Sequence, residues 1–139
     1  MGGKARLHDL VGSLLIEDGW TITDDPLWLK AGNRDLYVDL GAERNTLAAE
    51  RAGEKIAVEV QSFVGLSNVR NLQEAIGQYV MYRFLLADQR PDHRLYLSVP
   101  VEAHDGILSE RLGRMVLGEL SIPLLIYDPD RVEKLRWIG

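Results

Sequence analysis

The first half of the chain shows one helical apolar stripe followed by several segments of strand periodicity. Apolar residues recur at helical spacing within "KARLHDLVGSLLIEDGW", which predicts an N-terminal helix that stops at Gly19. Three short strands are then predicted, "WTIT", "LWLK" and "LYVDLGA", with "DDP" as the turn between the first two. In the third strand, alternation places Val38 and Leu40 on one face and Asp39 on the other. A hairpin with the turn "AGE" is predicted within "TLAAERAGEKIAVEVQS".

The second half of the chain predicts two helices separated by buried strands. After a loop from Ser62 to Ser67, apolar spacing indicates a long helix from about Val69 to Ala87 and then a short strand in "RLYLSVP". A second amphipathic helix is predicted in "DGILSERLGRMVLGEL", with these residues facing inward: Leu108, Leu112, Met115 and Val116. A buried strand, a "DPD" turn and a last strand ending at Trp137 follow. This order predicts a single α/β domain over residues 1–139, a sandwich with a mixed β-sheet flanked by helices.

Composition narrows the class of protein. A chain of 139 residues is long enough for one hydrophobic core, and 46% hydrophobic with 27% charged residues is ordinary for a globular protein. The absence of cysteine excludes disulfides and thiolate zinc sites. No segment approaches the roughly 18 apolar residues of a membrane helix. "MGGKARLHDL" also lacks the apolar core of a signal peptide, so we expect a cytoplasmic protein without membrane contact.

The formal net charge of −5 bears on nucleic-acid binding. Proteins that coat nucleic acid usually carry a basic surplus. We therefore expect any contact with DNA to be local, bridged by a metal, or shared with a partner.

Three polar residues interrupt strands that are otherwise apolar. Glu59 and Gln61 are two residues apart in "KIAVEVQSFVG", so their side chains leave the same strand face roughly 7 Å from each other. Asp39 lies 20 residues before Glu59, with a hairpin's length of chain between them. If their strands pair, the two carboxylates converge and offer the oxygen ligands that Mg²⁺ prefers. Such an ion can activate water against a phosphodiester, and Gln61 would orient that water or contact the phosphate.

Further polar residues could join the same site. Asp9 on the first helix offers another carboxylate, and Glu50, nine residues before Glu59, stays open as a weaker ligand. Gln78 belongs to a polar stripe on the long helix, and Gly77 beside it would allow close approach of a neighbouring element.

Each of these features also has a more ordinary interpretation. An antiparallel sheet often has one solvent-exposed (wet) face, and Glu59 and Gln61 could simply be polar residues on it. The polar stripe is more often the solvated side of a helix, and Asp9 is typical of a helix surface. The three histidines show no metal-ligand spacing, and no nucleophile elbow, P-loop or dinucleotide fingerprint occurs.

The motifs together resemble the XisH family, the fdxN-element excision controlling factors described mainly from cyanobacteria. The likeness runs through "HDLVGSLLIEDGWTITDDPLWLK", "DLYVDLGAE", "AAERAGEKIAVEVQSFVG", "LQEAIGQYVMYRFLL", "RLYLSVP" and "LRWIG". It covers nearly the whole chain in order, without a large insertion.

The resemblance implies a restriction-endonuclease-like fold of the PD-(D/E)XK nuclease superfamily. It also implies a role in excising a DNA element from a nitrogen-fixation gene, together with a site-specific recombinase and a companion protein, XisI. Asp39 then matches the first metal-binding acid and Glu59 the second, with Mg²⁺ (or Mn²⁺ as a substitute) as cofactor. Asp9 on the first helix and Gln78 on the following helix match residues that often complete such sites.

The departure from the family pattern is Gln61, which stands where the resemblance leads us to expect lysine. A lysine carries positive charge to the phosphate, whereas glutamine can only form hydrogen bonds. Two hypotheses remain open: a metal-dependent nuclease-like factor, and a catalytically inactive protein that binds a partner or a DNA structure. A nuclease outside element excision is a third, since fold does not determine function. Homo-oligomer formation is left open as well.

Overall fold

A computed structural model describes residues 3–45, 53–64, 67–131 and 134–139. The helices are α1 (Gly3–Glu17), α2 (Asn68–Gln89), α3 (Val101–Asp105) and α4 (Arg111–Glu119), with a 3₁₀ turn at Ile107–Ser109. The strands are β1 (Thr21–Asp24), β2 (Leu27–Ala31), β3 (Arg34–Val38), β4 (Leu40–Arg44), β5 (Glu54–Val60), β6 (His93–Pro100), β7 (Leu124–Tyr127) and β8 (Arg136–Ile138). None of these helices is long and apolar enough to cross a membrane.

Six strands form one mixed sheet in the order β1-β4-β5-β6-β7-β8. The central pairs β5–β6 and β6–β7 are parallel, and the outer pairs are antiparallel. The long helix α2 connects β5 to β6, as a parallel pair requires. Strands β2 and β3 form a separate two-stranded ribbon. The predicted fold class, a mixed sheet flanked by helices, is confirmed.

The sheet separates two hydrophobic cores. The α1-side core holds Ile56, Val58 and Val60 of β5 together with the apolar stripe of α1. The α2-side core holds Ala57 of β5 and Tyr79 of α2. The alternation predicted for β5 is therefore observed, and it places Glu59 on the α2 side of the sheet.

The predicted strand "LYVDLGA" is two strands, and Asp39 is the bend between them. Strand β3 pairs with β2, whereas β4 pairs with β1 and β5. Val38 and Leu40 were expected on one face, but Val38 belongs to the α2-side core and Leu40 to the α1-side core. The expectation was wrong because the bend lets the chain pass from the ribbon into the sheet. The first arm predicted for the following hairpin, residues 46–52, lies outside the described residues.

The second predicted helix, residues 105–120, is divided into the 3₁₀ turn and α4, and α3 ends where it was expected to begin. Leu112 and Met115 were expected to face inward but are 45% and 50% exposed. The residue that packs inward is Gly113, where an added Cβ would lie 2.6 Å from the Leu108 Cα. Close backbone packing of α4 on the 3₁₀ turn thus leaves Leu112 and Met115 toward solvent, while Leu117 packs against the α2-side core.

Candidate acidic site at the end of strand β5

Asp39 and Glu59 converge because β4 and β5 pair, as the sequence predicts. Leu40 stands opposite Val58 in the antiparallel register, which brings the preceding Asp39 beside the end of β5. The Asp39 backbone N–H donates to Glu59 Oε1 at 3.2 Å. The backbone N–H of Val60 donates to Asp39 Oδ2 at 2.8 Å. Each carboxylate therefore accepts a hydrogen bond from the neighbouring segment, which gives the pair a defined geometry.

The Glu59 carboxylate is buried beneath α2 rather than displayed on a wet sheet face. Glu59 as a whole is 2% exposed to solvent. A buried carboxylate is costly unless donors surround it. Besides the Asp39 N–H, Gln61 Nε2 donates to Glu59 Oε2 at 3.3 Å. The wet-face interpretation is thus wrong for Glu59.

Gln61 and Gln78 form the second half of the cluster. Gln61 Nε2 also donates to Gln78 Oε1 at 2.6 Å. Because a carboxylate can only accept, the contact with Glu59 fixes the Gln61 amide orientation, and the contact with Gln78 then fixes the second amide. Gln61 Oε1 and the Gln78 amide nitrogen are consequently the amide atoms that these two hydrogen bonds do not use.

The backbone of Gln61 is held from the neighbouring parallel strands. Its N–H donates to the Ser98 carbonyl at 2.8 Å, and the Tyr127 hydroxyl donates to its carbonyl at 2.8 Å. Phe63, two residues later, has a φ of 52°, a conformation that costs a bulky residue energy and is concentrated near functional sites. Sequence reasoning missed Tyr127. The available signal was a tyrosine within an apolar strand, since a buried hydroxyl usually finds a partner.

Tyr82 also faces the acidic pair, four residues after Gln78 on α2. It is half-buried and packs against the α2-side core. Burial, followed by the negative charges of Glu59 and Asp39, raises the pKa of the Tyr82 phenol. Part of the polar stripe on α2 therefore faces the acidic site and not bulk solvent.

Asp9 is directed to a different group of residues. Its carboxylate is 82% exposed and lies 3.1 Å from His8 Nδ1, while His8 Nε2 lies 2.7 Å from Asp25 Oδ1. Burial lowers the pKa of His8, but the hydrogen bond to Asp9 and the charge of Asp25 outweigh it, so the pKa is raised.

Two other expectations about the site have different outcomes. Glu50 lies outside the described residues. Gly77 is exposed, and a Cβ added there would meet nothing within 4 Å, so no neighbouring element of the described residues approaches it. That expectation was wrong, since Gly77 lies on the outer side of α2 and Gln78 on the inner.

The donor set of the site fits a hard divalent cation. Two carboxylates from separate strands are typical protein ligands of Mg²⁺, which keeps several waters and takes further oxygens from a substrate phosphate. Among the described residues, no group of three or more His, Asp or Glu side chains could hold a metal. Of the His, Asp and Glu side chains in the described residues, only Asp39 and Glu59 would therefore bind an ion at this site.

Comparison with protein families decides the relationship. A sequence model of the family described as "XisH protein" matches residues 1–135. This chain belongs to the XisH family. The family match covers the acidic pair, both glutamines and the bend at Asp39.

Two solved structures show the same XisH architecture. A crystal structure of an XisH family protein from Nostoc punctiforme PCC 73102 is 34% identical, with a TM-score of 0.85 over 96% of this chain and 99% of that chain. A crystal structure of an fdxN element excision controlling factor protein from Anabaena variabilis is also 34% identical, with a TM-score of 0.84 over 97% of this chain and 99% of that chain. Comparison with curated protein sequences found no match.

Proposed function

We propose that this XisH-family chain is an accessory factor in excision of a DNA element by a site-specific recombinase, and that its acidic site hydrolyses phosphodiesters with Mg²⁺. The name of the Anabaena variabilis relative supports the excision role. The observation that carries the catalytic part is the reciprocal hydrogen bonding that holds Asp39 and Glu59 together at the end of β5.

The roles of the residues follow from the groups that they present. Asp39 and Glu59 bind Mg²⁺ or Mn²⁺ and keep their backbone partners, since each carboxylate has about four acceptor positions. When bound, the ion supplies Lewis-acid stabilisation of the charge that develops on a phosphodiester. Gln61 Oε1 accepts a hydrogen bond from a water and orients it. The Gln78 amide donates to a phosphate oxygen.

A second candidate function is a catalytically inactive protein that binds a partner or a DNA structure. The observation that favours it is the engagement of Gln61, whose side-chain amide nitrogen already donates to Glu59 and Gln78. This residue therefore brings no positive charge to a phosphate, as a lysine would. The net charge of −5 points the same way.

Nicking of supercoiled plasmid in Mg²⁺ or Mn²⁺ tests the two candidates. We expect the wild type to nick and Glu59→Ala to lose the activity, while Glu74→Ala, an exposed glutamate on α2, retains it. If the wild type nicks no faster than Glu59→Ala, the catalytic proposal is wrong. Nicking that appears only in Gln61→Lys would show that the wild-type site lacks just the positive charge of a lysine. It would establish the second candidate function, a catalytically inactive protein.

Calorimetric titration with Mn²⁺ separates metal binding from catalysis. Binding by the wild type that is lost in Asp39→Asn and Glu59→Ala supports the acidic pair as the metal site even where nicking is slow. Equal Mn²⁺ binding by all three proteins would contradict it. Circular dichroism on each variant establishes that the fold is retained.

The partners of the proposed role are an XisI-like companion protein and DNA. We expect the chain to co-purify with an XisI-like protein and to bind DNA more tightly in its presence, since its own charge is unfavourable for DNA. Light scattering of the chain alone tests a homo-oligomer. Failure to form the companion complex at micromolar concentration would contradict the accessory role while leaving the nicking test unaffected.

A further inference from the structure

The outer face of the β2–β3 ribbon carries two exposed aromatic rings. Trp28 and Tyr37 are direct cross-strand neighbours, and each is 50% exposed. The Gln89 side chain on α2 accepts from the Lys30 N–H at 2.8 Å and donates to the Lys30 carbonyl at 2.6 Å. The backbone groups of Lys30 thus point away from β3, and by the alternation of an antiparallel ladder those of Trp28 do so too. Pairs of this kind bring their side chains closest together, so the two rings lie next to each other.

The two rings stand on a rigid support. The inner face of the ribbon is fully buried in the α2-side core through Leu27, Leu29 and Val38. On the outer face, Trp28 Nε1 donates to Asp35 Oδ1 at 2.9 Å, which fixes the orientation of the indole. A ring that is already held in place loses little entropy when a flat ligand stacks on it.

The ribbon leads directly into the acidic site. Tyr37 precedes Asp39 by two residues, at most roughly 7 Å of extended chain. This distance corresponds to about two nucleotide steps at the 3.4 Å rise of a stacked strand. A DNA strand with a phosphate at Asp39 therefore has neighbouring bases within reach of the Tyr37 ring.

The size of the outer face favours a nucleobase over a protein partner. Four side chains make up this face: Trp28, Lys30, Asp35 and Tyr37. A stable protein interface takes about 20–30 residues from each side, whereas one base needs only an aromatic ring to stack on. Two of the four side chains are charged, so the apolar part of the face is limited to the two rings.

The charges of the ribbon are nearly balanced. Lys30 and Arg34 oppose Asp35, a formal balance of +1 over β2 and β3. The charged residues beside the ribbon are in contact with each other, Asp24 with Arg90 and Asp25 with His8. Stacking, which is available to every base because each has a π face, therefore provides most of the affinity. This agrees with an acidic chain that contacts DNA only locally.

We infer, on the basis of the proposed function, that Trp28 and Tyr37 form a stacking platform for an unpaired nucleobase beside the acidic site. The platform specifies the substrate as a single strand or a junction that has an unpaired nucleotide next to the phosphodiester at Asp39. A base within a duplex is stacked on both of its faces and has none to offer to the rings.

Binding of single-stranded DNA without metal tests the platform separately from catalysis. The probe is a labelled oligothymidylate of about eight nucleotides, within the usual range of site sizes for single-strand-binding domains. Fluorescence anisotropy in EDTA measures its affinity. We expect saturable binding, and weaker binding of a blunt duplex of the same length. We also expect the oligonucleotide to quench tryptophan emission in the wild type and not in Trp28→Phe.

Matched substitutions of exposed aromatic residues locate the binding site. Trp28→Leu and Tyr37→Leu each remove one ring of the platform, whereas Phe84→Leu removes a 69% exposed ring elsewhere on α2. We expect each platform variant to weaken binding at least about fivefold, the lower end of the range for one lost stacked base. Phe84→Leu should leave the affinity unchanged, and Trp28→Phe, which keeps a ring, should retain most of it. Circular dichroism establishes that each variant is folded.

The salt dependence of binding separates stacking from general attraction. Lys30 is the one basic side chain on the outer face, so we expect the logarithm of the affinity to fall with the logarithm of salt concentration with a slope of about −0.7, the value for a single phosphate contact. A slope several times steeper would mean that charge and not stacking holds the strand, and would contradict the platform.

Three further results would overturn the inference. One is wild-type affinity in both Trp28→Leu and Tyr37→Leu, and another is an equal loss in Phe84→Leu. The third is the absence of saturable binding at millimolar oligonucleotide. If Trp28→Leu instead loses self-association or the companion complex while single-strand binding is unchanged, the face is a protein interface. Nicking by the wild type together with unchanged binding in Trp28→Leu rejects the platform and keeps catalysis, and the reverse pattern rejects catalysis alone.

Discussion

Asp39 and Glu59 are each hydrogen-bonded to the backbone of the segment that carries the other. The Asp39 N–H donates to Glu59 Oε1 at 3.2 Å, and the N–H of Val60, next to Glu59, donates to Asp39 Oδ2 at 2.8 Å. The two carboxylates are therefore part of the frame that joins the bend at Asp39 to β5. Asp39 and Glu59 are also the proposed metal ligands. A substitution at either residue can therefore change the stability of the fold and the affinity for the metal independently.

Comparing two substitutions of Asp39 separates these effects. Asp39→Ala leaves the Val60 N–H without its acceptor, so we expect the free energy of unfolding to fall by about 1–3 kcal/mol. Asp39→Asn keeps an oxygen that can accept from Val60, and we expect a smaller loss in urea denaturation. Both variants should lose Mn²⁺ binding in calorimetry. If Asp39→Ala and Asp39→Asn destabilise the protein equally, the negative charge of Asp39, and not its oxygen acceptor for the Val60 N–H, stabilises the fold.

The Tyr127 hydroxyl supports Gln61 and makes stability sensitive to alkaline pH. Tyr127→Phe removes the hydrogen bond to the Gln61 carbonyl, and we expect the free energy of unfolding at neutral pH to fall by about 1 kcal/mol. Burial raises the pKa of Tyr127, although the nearby Arg6 charge acts in the opposite direction. The folded state thus disfavours the phenolate, and this contribution to stability is present below the ordinary tyrosine pKa of about 10 and declines above it.

Urea denaturation between pH 9 and pH 11, an interval of about one unit on each side of the ordinary tyrosine pKa, checks the alkaline effect. We expect the free energy of unfolding to decline less steeply with pH in Tyr127→Phe than in the wild type. Tyr37→Phe serves as control, because the Tyr37 ring is 50% exposed. The same pH dependence in the wild type and in Tyr127→Phe would contradict the expectation.

His8 is expected to titrate above the ordinary histidine pKa because of Asp9 and Asp25. A raised pKa in the folded state means that protonated His8 stabilises the fold fully below about pH 6.5. That contribution is lost as pH rises through the folded-state pKa. Asp25→Asn removes one of the three carboxylate charges that raise this pKa, those of Asp9, Asp25 and Asp39, and we expect the His8 pKa measured by nuclear magnetic resonance to fall. Asp105→Asn, next to His104, should leave it unchanged.

Two glycines of α4 are expected to respond oppositely to alanine. A Cβ at Gly113 would lie 2.6 Å from the Leu108 Cα, so Gly113→Ala must push α4 away from the 3₁₀ turn. A Cβ at Gly118 would meet nothing within 4 Å. We expect Gly113→Ala to lower the melting temperature strongly. Gly118→Ala should raise the free energy of unfolding by up to about 1 kcal/mol, the difference in helix propensity. Similar melting temperatures for both variants would mean that α4 does not pack as described.

Local periodicity predicted most elements of this fold. The helical stripe that ends at Gly19 is α1, and Gly19 has the positive φ of a helix stop, 94°. The alternation along β5 correctly assigned Glu59 to the face opposite Ile56 and Val58. Spacing also selected Asp39, Glu59, Gln61 and Gln78, which the structure brings into one hydrogen-bonded cluster. The periods of the helix and of the strand depend on neighbours within a few residues, so a single sequence carries them.

The sequence by itself determined which side chains share a strand face or a helix face, because those periods are built into the backbone. Only the tertiary structure decided how the segments meet. Val38 and Leu40 obey one alternation yet enter different cores, since the bend at Asp39 moves the chain between sheets. Leu112 and Met115 form an apolar stripe yet face solvent, since Gly113 makes the closer contact. Packing against distant segments, not local periodicity, therefore placed Asp39 beside Glu59 and His8 beside Asp25.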